Sequence, residues 1–275
     1  MIDWGYARMM GDGQNSNSPP EYRKKQMSTL YVMERHDQLL HVWRDLNLIN
    51  LRVAHLDFHC DMRGLLVDQG SGRAYSTRNG SSELDEGNFI THAILEGRVG
   101  RIRWIHDVPG GRRDDVNGIK LTSDLTARWA WRRLKSNDEP SVPLIYEELT
   151  FPEWIDLEPD EFLDIDWDVF ACKDYPVGDH QQRLEVFRQR KFSHTPKYIA
   201  LCYSSDYSHD TKEEFEEFIV YLRNLFNSRV VRLPPPPPRS LPISLVKTGI
   251  FRPLYRATRK GYFGGLRWLR YRGIY

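Results

Sequence analysis

Apolar residues recur along this chain at two spacings, and the alternation between the two predicts its architecture. β-prone runs occur at Ser28–Met33 (STLYVM), residues 51–56 (LRVAHL), 101–105 (RIRWI), 142–149, from Glu161 (EFLDID), at 197–203 (KYIALCY) and around Val230 and Val231. Helical spacing follows several of them. Leu39, Leu40, Trp43 and Leu46 share a face over residues 37–46, residues 88–95 read as a helix start, and Phe215, Phe218, Leu222 and Leu225 share a face behind Asp210 and Glu213, which have capping-box spacing. Strand and helix in alternation predict the α/β class: a three-layer fold in which a parallel sheet carries helices on both faces. Residues 63–86 and 110–126 read as loops, and residues 126–135 (TARWAWRRLK) as a short helix or amphipathic strand. The expected boundaries are an arm over 1–27, one catalytic domain over 28–233, and a Pro-rich linker with a tail over 234–275.

Polar residues interrupt this pattern where the strands end. Asp57, His59 and Asp61 stand at every second position after the second strand, so in an extended chain they point one way, with Phe58 and Cys60 turned from them. D-x-H-x-D is equally a polar strand end or turn. Asp164 and Asp166 alternate in the same way within an otherwise apolar strand, where acids left uncompensated are costly. His36 follows the first strand. Two carboxylates and an imidazole suit Mn²⁺, Fe²⁺ or Zn²⁺ better than Ca²⁺. Six N/O donors exceed the needs of one tetrahedral ion and match two ions that share carboxylates.

The order of a His, then D-x-H-x-D, then D-x-D resembles the arginase/ureohydrolase superfamily. The surrounding segments ERHDQLLHVW, HLDFHCDM, GNFITHAI, IRWIHD, LDIDWD and CYSSDYS are most similar to the peptide arginases. The resemblance spans about residues 28–226. It implies an arginase-like fold with two Mn²⁺ per chain at the C-terminal ends of the strands. The ligands it implies are His36, Asp57, His59, Asp61, Asp164 and Asp166. It also implies hydrolysis of arginine side chains in a ribosomally made precursor peptide to ornithine, with release of urea. His92 falls where the family keeps a proton-shuttling histidine and joins Asp61 and Asp206 as catalytic candidates. Asp206, at the last strand end, is expected to hold the guanidinium, with Asn88 and Asp107 as further substrate-binding candidates. ERHD stands where arginases have a Gly-rich GGDH, and their E-V-N-P segment has no literal match. The alternatives are a free-substrate arginase or agmatinase, a one-zinc deacetylase on a related fold, and a metal-free binding protein.

Composition changes this picture in three respects. There is no run of 18 apolar residues and mean hydropathy is −0.60, so no membrane association is expected. Three separated cysteines, Cys60, Cys172 and Cys202, and no N-terminal apolar segment suit a reducing, cytoplasmic setting. The net charge of +1 hides a basic end: residues 239–275 hold nine Arg or Lys and no acid. The rest of the chain therefore has 30 basic against 38 acidic residues, and no nucleic-acid partner is expected of such a body. The tail interleaves Arg with Trp268, Tyr271 and other aromatics, which points to docking on the chain's own body or on a neighbouring subunit of a homo-oligomer. Docking on the acidic part of a precursor peptide is the alternative.

Overall fold

The computed structural model describes residues 27–76, 83–107, 120–122, 141–174 and 179–235. The short helix or strand expected over 126–135, the arm up to residue 26 and the basic tail lie outside these. Seven strands form the main sheet: β1 (Ser28–Met33), β2 (Leu51–Leu56), β5 (Val99–His106), β8 (Ile145–Thr150), β9 (Glu161–Asp166), β10 (Tyr198–Cys202) and β11 (Ser228–Arg232). Their order is β11-β1-β10-β9-β2-β5-β8, and every neighbouring pair is parallel.

Alternation of side chains along these strands splits the apolar residues into two cores, one on each face of the sheet. Leu30, Ala54, Leu56, Leu163, Ile165, Ile199 and Leu201 face one way. They are covered by α3 (Asp168–Ala171) through Val169 and Phe170, by α4 (Asp179–Arg188) through Leu184 and Phe187, and by α5 (Lys212–Leu225) through Phe215, Phe218 and Leu222. Val53, Ile102, Trp104, Phe162, Ala200 and Cys202 face the other way, under α1 (Gln38–Asp45) and α2 (Phe89–Leu95). Trp167 roofs the first core, fully buried, and its indole N–H donates to Thr211 Oγ1 at 2.7 Å, so its one polar atom is satisfied. The expected α/β fold is what forms.

Several local expectations are corrected. The Gly/Ser-rich stretch after β2 contains β3 (Leu65–Asp68) and β4 (Arg73–Ser76), and the expected loop over 110–126 contains β6 (Lys120–Thr122). With β7 (Val142–Pro143) these form a second sheet, ordered β6-β3-β4-β7. The single strand expected over 142–149 is thus two, the first in the small sheet and the second in the large one. The capping box on Asp210 and Glu213 does not form: Thr211 occupies the N-cap of α5 and makes no side-chain cap bond.

Strand order also places the site. From β2 the chain moves outward to β5 and β8, whereas from β9 it moves the other way to β10, so β2 and β9 are neighbours whose connections diverge. Ligands of open α/β sheets bind at such a switch point, beyond the carboxyl ends of the strands.

Candidate metal centre

Chain reversal just past β2 and β9 gathers the acids. The strand stops at Leu56, and the chain bends through Asp57, Phe58, His59, Cys60 and Asp61 instead of staying extended, with Asp61 at φ +53°. This is left-handed backbone that a non-glycine residue holds only at a cost. Ser204, past the end of β10, has φ +47°. Because of the bend, the three residues expected to converge divide between two places.

In the first group His36, Asp57, Asp61 and Asp166 each bring a donor atom within 4.8 Å of the others. His36 Nδ1 lies 3.2 Å from Asp57 Oδ2, 3.0 Å from Asp61 Oδ2 and 3.1 Å from Asp166 Oδ2. The second group is Asp57, His59 and Asp168, so Asp57 belongs to both. His59 Nδ1 is 2.8 Å from Asp168 Oδ2 and 4.0 Å from Asp57 Oδ1. A third group joins His36, His55 and Asp164: His36 Nε2 is 2.9 Å from Asp164 Oδ1, and His55 Nδ1 is 2.8 Å from Asp164 Oδ2. All of these residues are buried except His59, whose side chain is 27% exposed, and Tyr207 packs its ring against that histidine at 5.2 Å. Solvent therefore meets the centre at His59.

Backbone and hydroxyl groups hold the carboxylates in place. Asp57 Oδ1 accepts the N–H of His59 at 2.6 Å, Asp168 Oδ1 accepts that of Phe58 at 3.2 Å, and Ser204 Oγ donates to Asp166 Oδ2 at 2.6 Å. Outer contacts of this kind orient metal ligands.

Electrostatics shows why the cluster suits a cation. Burial, together with Asp168, Asp61 and Asp166, pushes the Asp57 carboxyl well above the usual carboxylate range. Burial and Asp168 push Asp166 up to about 6, against the opposing pull of His36. Burial opposes the charge of His59, but Asp168 outweighs it and raises His59 to about 9. Burial likewise opposes the charge of His36, and Asp164 and Asp166 outweigh it. Two buried atoms at the centre, His36 Nδ1 and Asp57 Oδ2, make no hydrogen bond. Crowded carboxylates of raised pKa beside buried nitrogen and oxygen atoms without hydrogen bonds suit a cation, and the all-oxygen-and-nitrogen donor set fits Mn²⁺, Fe²⁺ or Zn²⁺. The chain thus carries a metal-binding-capable cluster of buried His and Asp.

A pH dependence follows for the metal-free protein. Asp166 and His59 both bind their protons more tightly folded than unfolded. Asp166 therefore stabilises the fold below pH 3.8 and loses that contribution as the pH rises through about 6, and His59 loses its own between pH 6.5 and about 9. Each loss is on the order of 3 kcal/mol. Melting temperature in a chelator should fall from pH 5 to pH 9, the rise on adding Mn²⁺ should grow over the same range, and Asp166→Asn should remove the lower part of the fall. A chelator-phase melting temperature that climbs to pH 9 would contradict this account of the cluster.

Of the expected site residues, His36, Asp57, His59, Asp61 and Asp166 come together in the first two groups. Asp164 comes instead to the third group, between His36 and His55. The second group needs Asp168, absent from the sequence expectation although LDIDWD continues the same alternation to a third acid. His55 was also absent, although it begins the series His55, Asp57, His59, Asp61. The remaining candidates are placed otherwise. His92 is half-buried on α2. Asn88 is fully buried, its amide oxygen accepting the N–H of Asp85 at 2.8 Å and its amide nitrogen donating to the Glu83 carbonyl at 3.0 Å. Asp107 is exposed, with Arg183 Nε 3.5 Å away. Asp206 is exposed beside Tyr207, in a loop whose Ser205 and Asp206 carbonyls accept from Lys173 Nζ at 2.8 and 3.0 Å. The cysteines are buried, and burial lifts the Cys172 thiol to about 12, so it is inert as a nucleophile. No helix among the described residues is long and apolar enough to cross a membrane. No family model matches this chain, and no curated protein is significantly similar to it.

Proposed function

We propose that the chain is a dinuclear metal hydrolase that converts arginine side chains of a precursor peptide to ornithine and urea. The observation that carries the metal-dependent part is the sharing of Asp57 between two donor groups at the switch point, buried except at His59, with His36 Nδ1 and Asp57 Oδ2 making no hydrogen bond. One ion would be held by His36, Asp57, Asp61 and Asp166, and the other by Asp57, His59 and Asp168. When bound, two divalent cations acidify a water and so supply a nucleophile near neutral pH. Manganese, the guanidinium substrate and the peptide context rest on the resemblance of the residue order to the peptide arginases.

The chain's own residues do the rest. His59 forms the solvent-facing side of the second group, so substrate would enter there, past the ring of Tyr207. Asp206 is the exposed acid next to Tyr207 and suits a planar cation, which a carboxylate can grip with two parallel hydrogen bonds. Ser204 holds Asp166 and the Phe58 N–H holds Asp168, fixing two ligands whose drift would loosen the ions.

Mass spectrometry of arginine-containing peptides incubated with the Mn²⁺-loaded chain tests the substrate. The expected result is loss of one CH₂N₂ unit per modified arginine with equimolar urea. Turnover of free arginine with none on peptides refutes the peptide assignment, and absence of urea from both refutes guanidinium hydrolysis.

A further inference from the structure

We propose that His55 and Asp164 are positioning residues rather than metal ligands: together they fix the ring of His36 so that its Nδ1 faces Asp57, Asp61 and Asp166. The inference rests on the metal-centre reading above and concerns residues that lie behind it. His55 and Asp164 are adjacent in register, on β2 and β9, and both are fully buried. Asp164 gives each of its oxygens to a different imidazole nitrogen, Oδ1 to His36 Nε2 at 2.9 Å and Oδ2 to His55 Nδ1 at 2.8 Å. A carboxylate accepts only, so both nitrogens donate to it. With His36 Nε2–H pinned in this way, Nδ1 is the nitrogen left for the carboxylate group, and the ring can neither flip nor rotate without breaking a buried charge-assisted bond.

His55 supplies the second support. A buried carboxylate bonded on one side only would be poorly compensated, and the His55 N–H completes its shell. On its other edge His55 Nε2 makes no hydrogen bond and lies 3.4 Å from Asp57 Oδ2, so the same ring also packs against the carboxylate common to both groups. Phe89 closes the remaining side of His36, ring to ring at 4.7 Å. A histidine with a carboxylate behind it is a more basic and better oriented ligand, and loss of such a partner typically weakens metal binding roughly 10- to 100-fold.

The test is a calorimetric Mn²⁺ titration of the full chain, with metal content counted and metal-free melting temperatures recorded. His55→Leu should fold, with Mn²⁺ affinity lowered roughly 10- to 100-fold. His55→Asn, whose amide N–H can stand where Nδ1–H does, should recover most of that loss. A role in packing alone would instead lower the melting temperature of both variants and leave the affinity of the folded protein unmoved. If His55→Leu does not fold, Asp164→Asn decides the matter. It is nearly isosteric and can accept from only one of the two imidazoles, so it should still load two ions, more weakly. Wild-type affinity in the folded His55→Leu or Asp164→Asn protein overturns the proposal, as does complete loss of one ion in Asp164→Asn, which would make Asp164 a ligand. Failure of the wild type itself to bind Mn²⁺ overturns the metal-centre reading, a result separate from these.

Discussion

Asp57→Asn should leave a folded chain that binds neither metal ion and releases no urea, while melting at a higher temperature than wild type in a chelator. Two facts set the two directions. Asp57 is the one residue common to both donor groups, so its loss removes a ligand from each position at once. Loss of an outer partner alone costs about 10- to 100-fold, and loss of a shared ligand should reduce turnover by at least about 100-fold. The stability change runs the other way. Asp57 is fully buried and its carboxyl is pushed well above the ordinary range by burial and by Asp168, Asp61 and Asp166. A raised carboxyl pKa means that ionisation at neutral pH costs the folded state free energy, which a neutral amide of the same size does not incur. The buried charge that would hold cations is the one the fold carries at a cost, so its removal should raise stability and abolish activity together. Metal content, urea release and a melt in chelator decide the matter. Two bound ions or near-normal turnover would remove Asp57 from the centre.

Much of this arrangement is legible in the sequence because it is local. β1 forms over the residues its apolar run marks, and the polar breaks after β1, β2 and β9 are where the donors gather. What stayed hidden depends on pairing between distant residues or on a change of backbone state. His55 looks like one more member of a buried strand, and its meaning comes from Asp164, 109 residues away, through a β2/β9 register that no local pattern encodes. Asp168 was missed because Trp167 reads as strand core, whereas the strand ends at Asp166 and a helix of four residues begins at Asp168. The turn into that helix brings the third acid round to His59. The small sheet escaped for a third reason: its strands are two to four residues long, set among Gly and Ser, too short for an alternation to stand out.

Asp168→Asn should also destroy activity, but with the opposite effect on the metal-free fold, and that contrast is the sharper test of how charge is arranged here. Burial would raise the Asp168 carboxyl, yet the His59 imidazolium at 2.8 Å and the Phe58 N–H outweigh burial and hold it below the ordinary range. A lowered carboxyl pKa stabilises the fold at every pH above the unfolded value of 3.8 and is lost only as the pH falls below it. At neutral pH the amide should therefore lower the chelator-phase melting temperature, where Asp57→Asn raises it. His59 would lose Asp168, the partner that does most to lift it to about 9, and keep only the weaker pull of Asp61 and Asp166. The stabilisation that wild type loses between pH 6.5 and 9 should then shrink. For the metals, Asp57 and His59 alone are too few protein donors to hold an ion tightly, while the group on His36, Asp57, Asp61 and Asp166 is intact. Metal content should fall from two ions to one, with turnover down at least about 100-fold. Retention of both ions, or a melting temperature that rises as it does in Asp57→Asn, would show that Asp168 serves only as the anchor of its short helix.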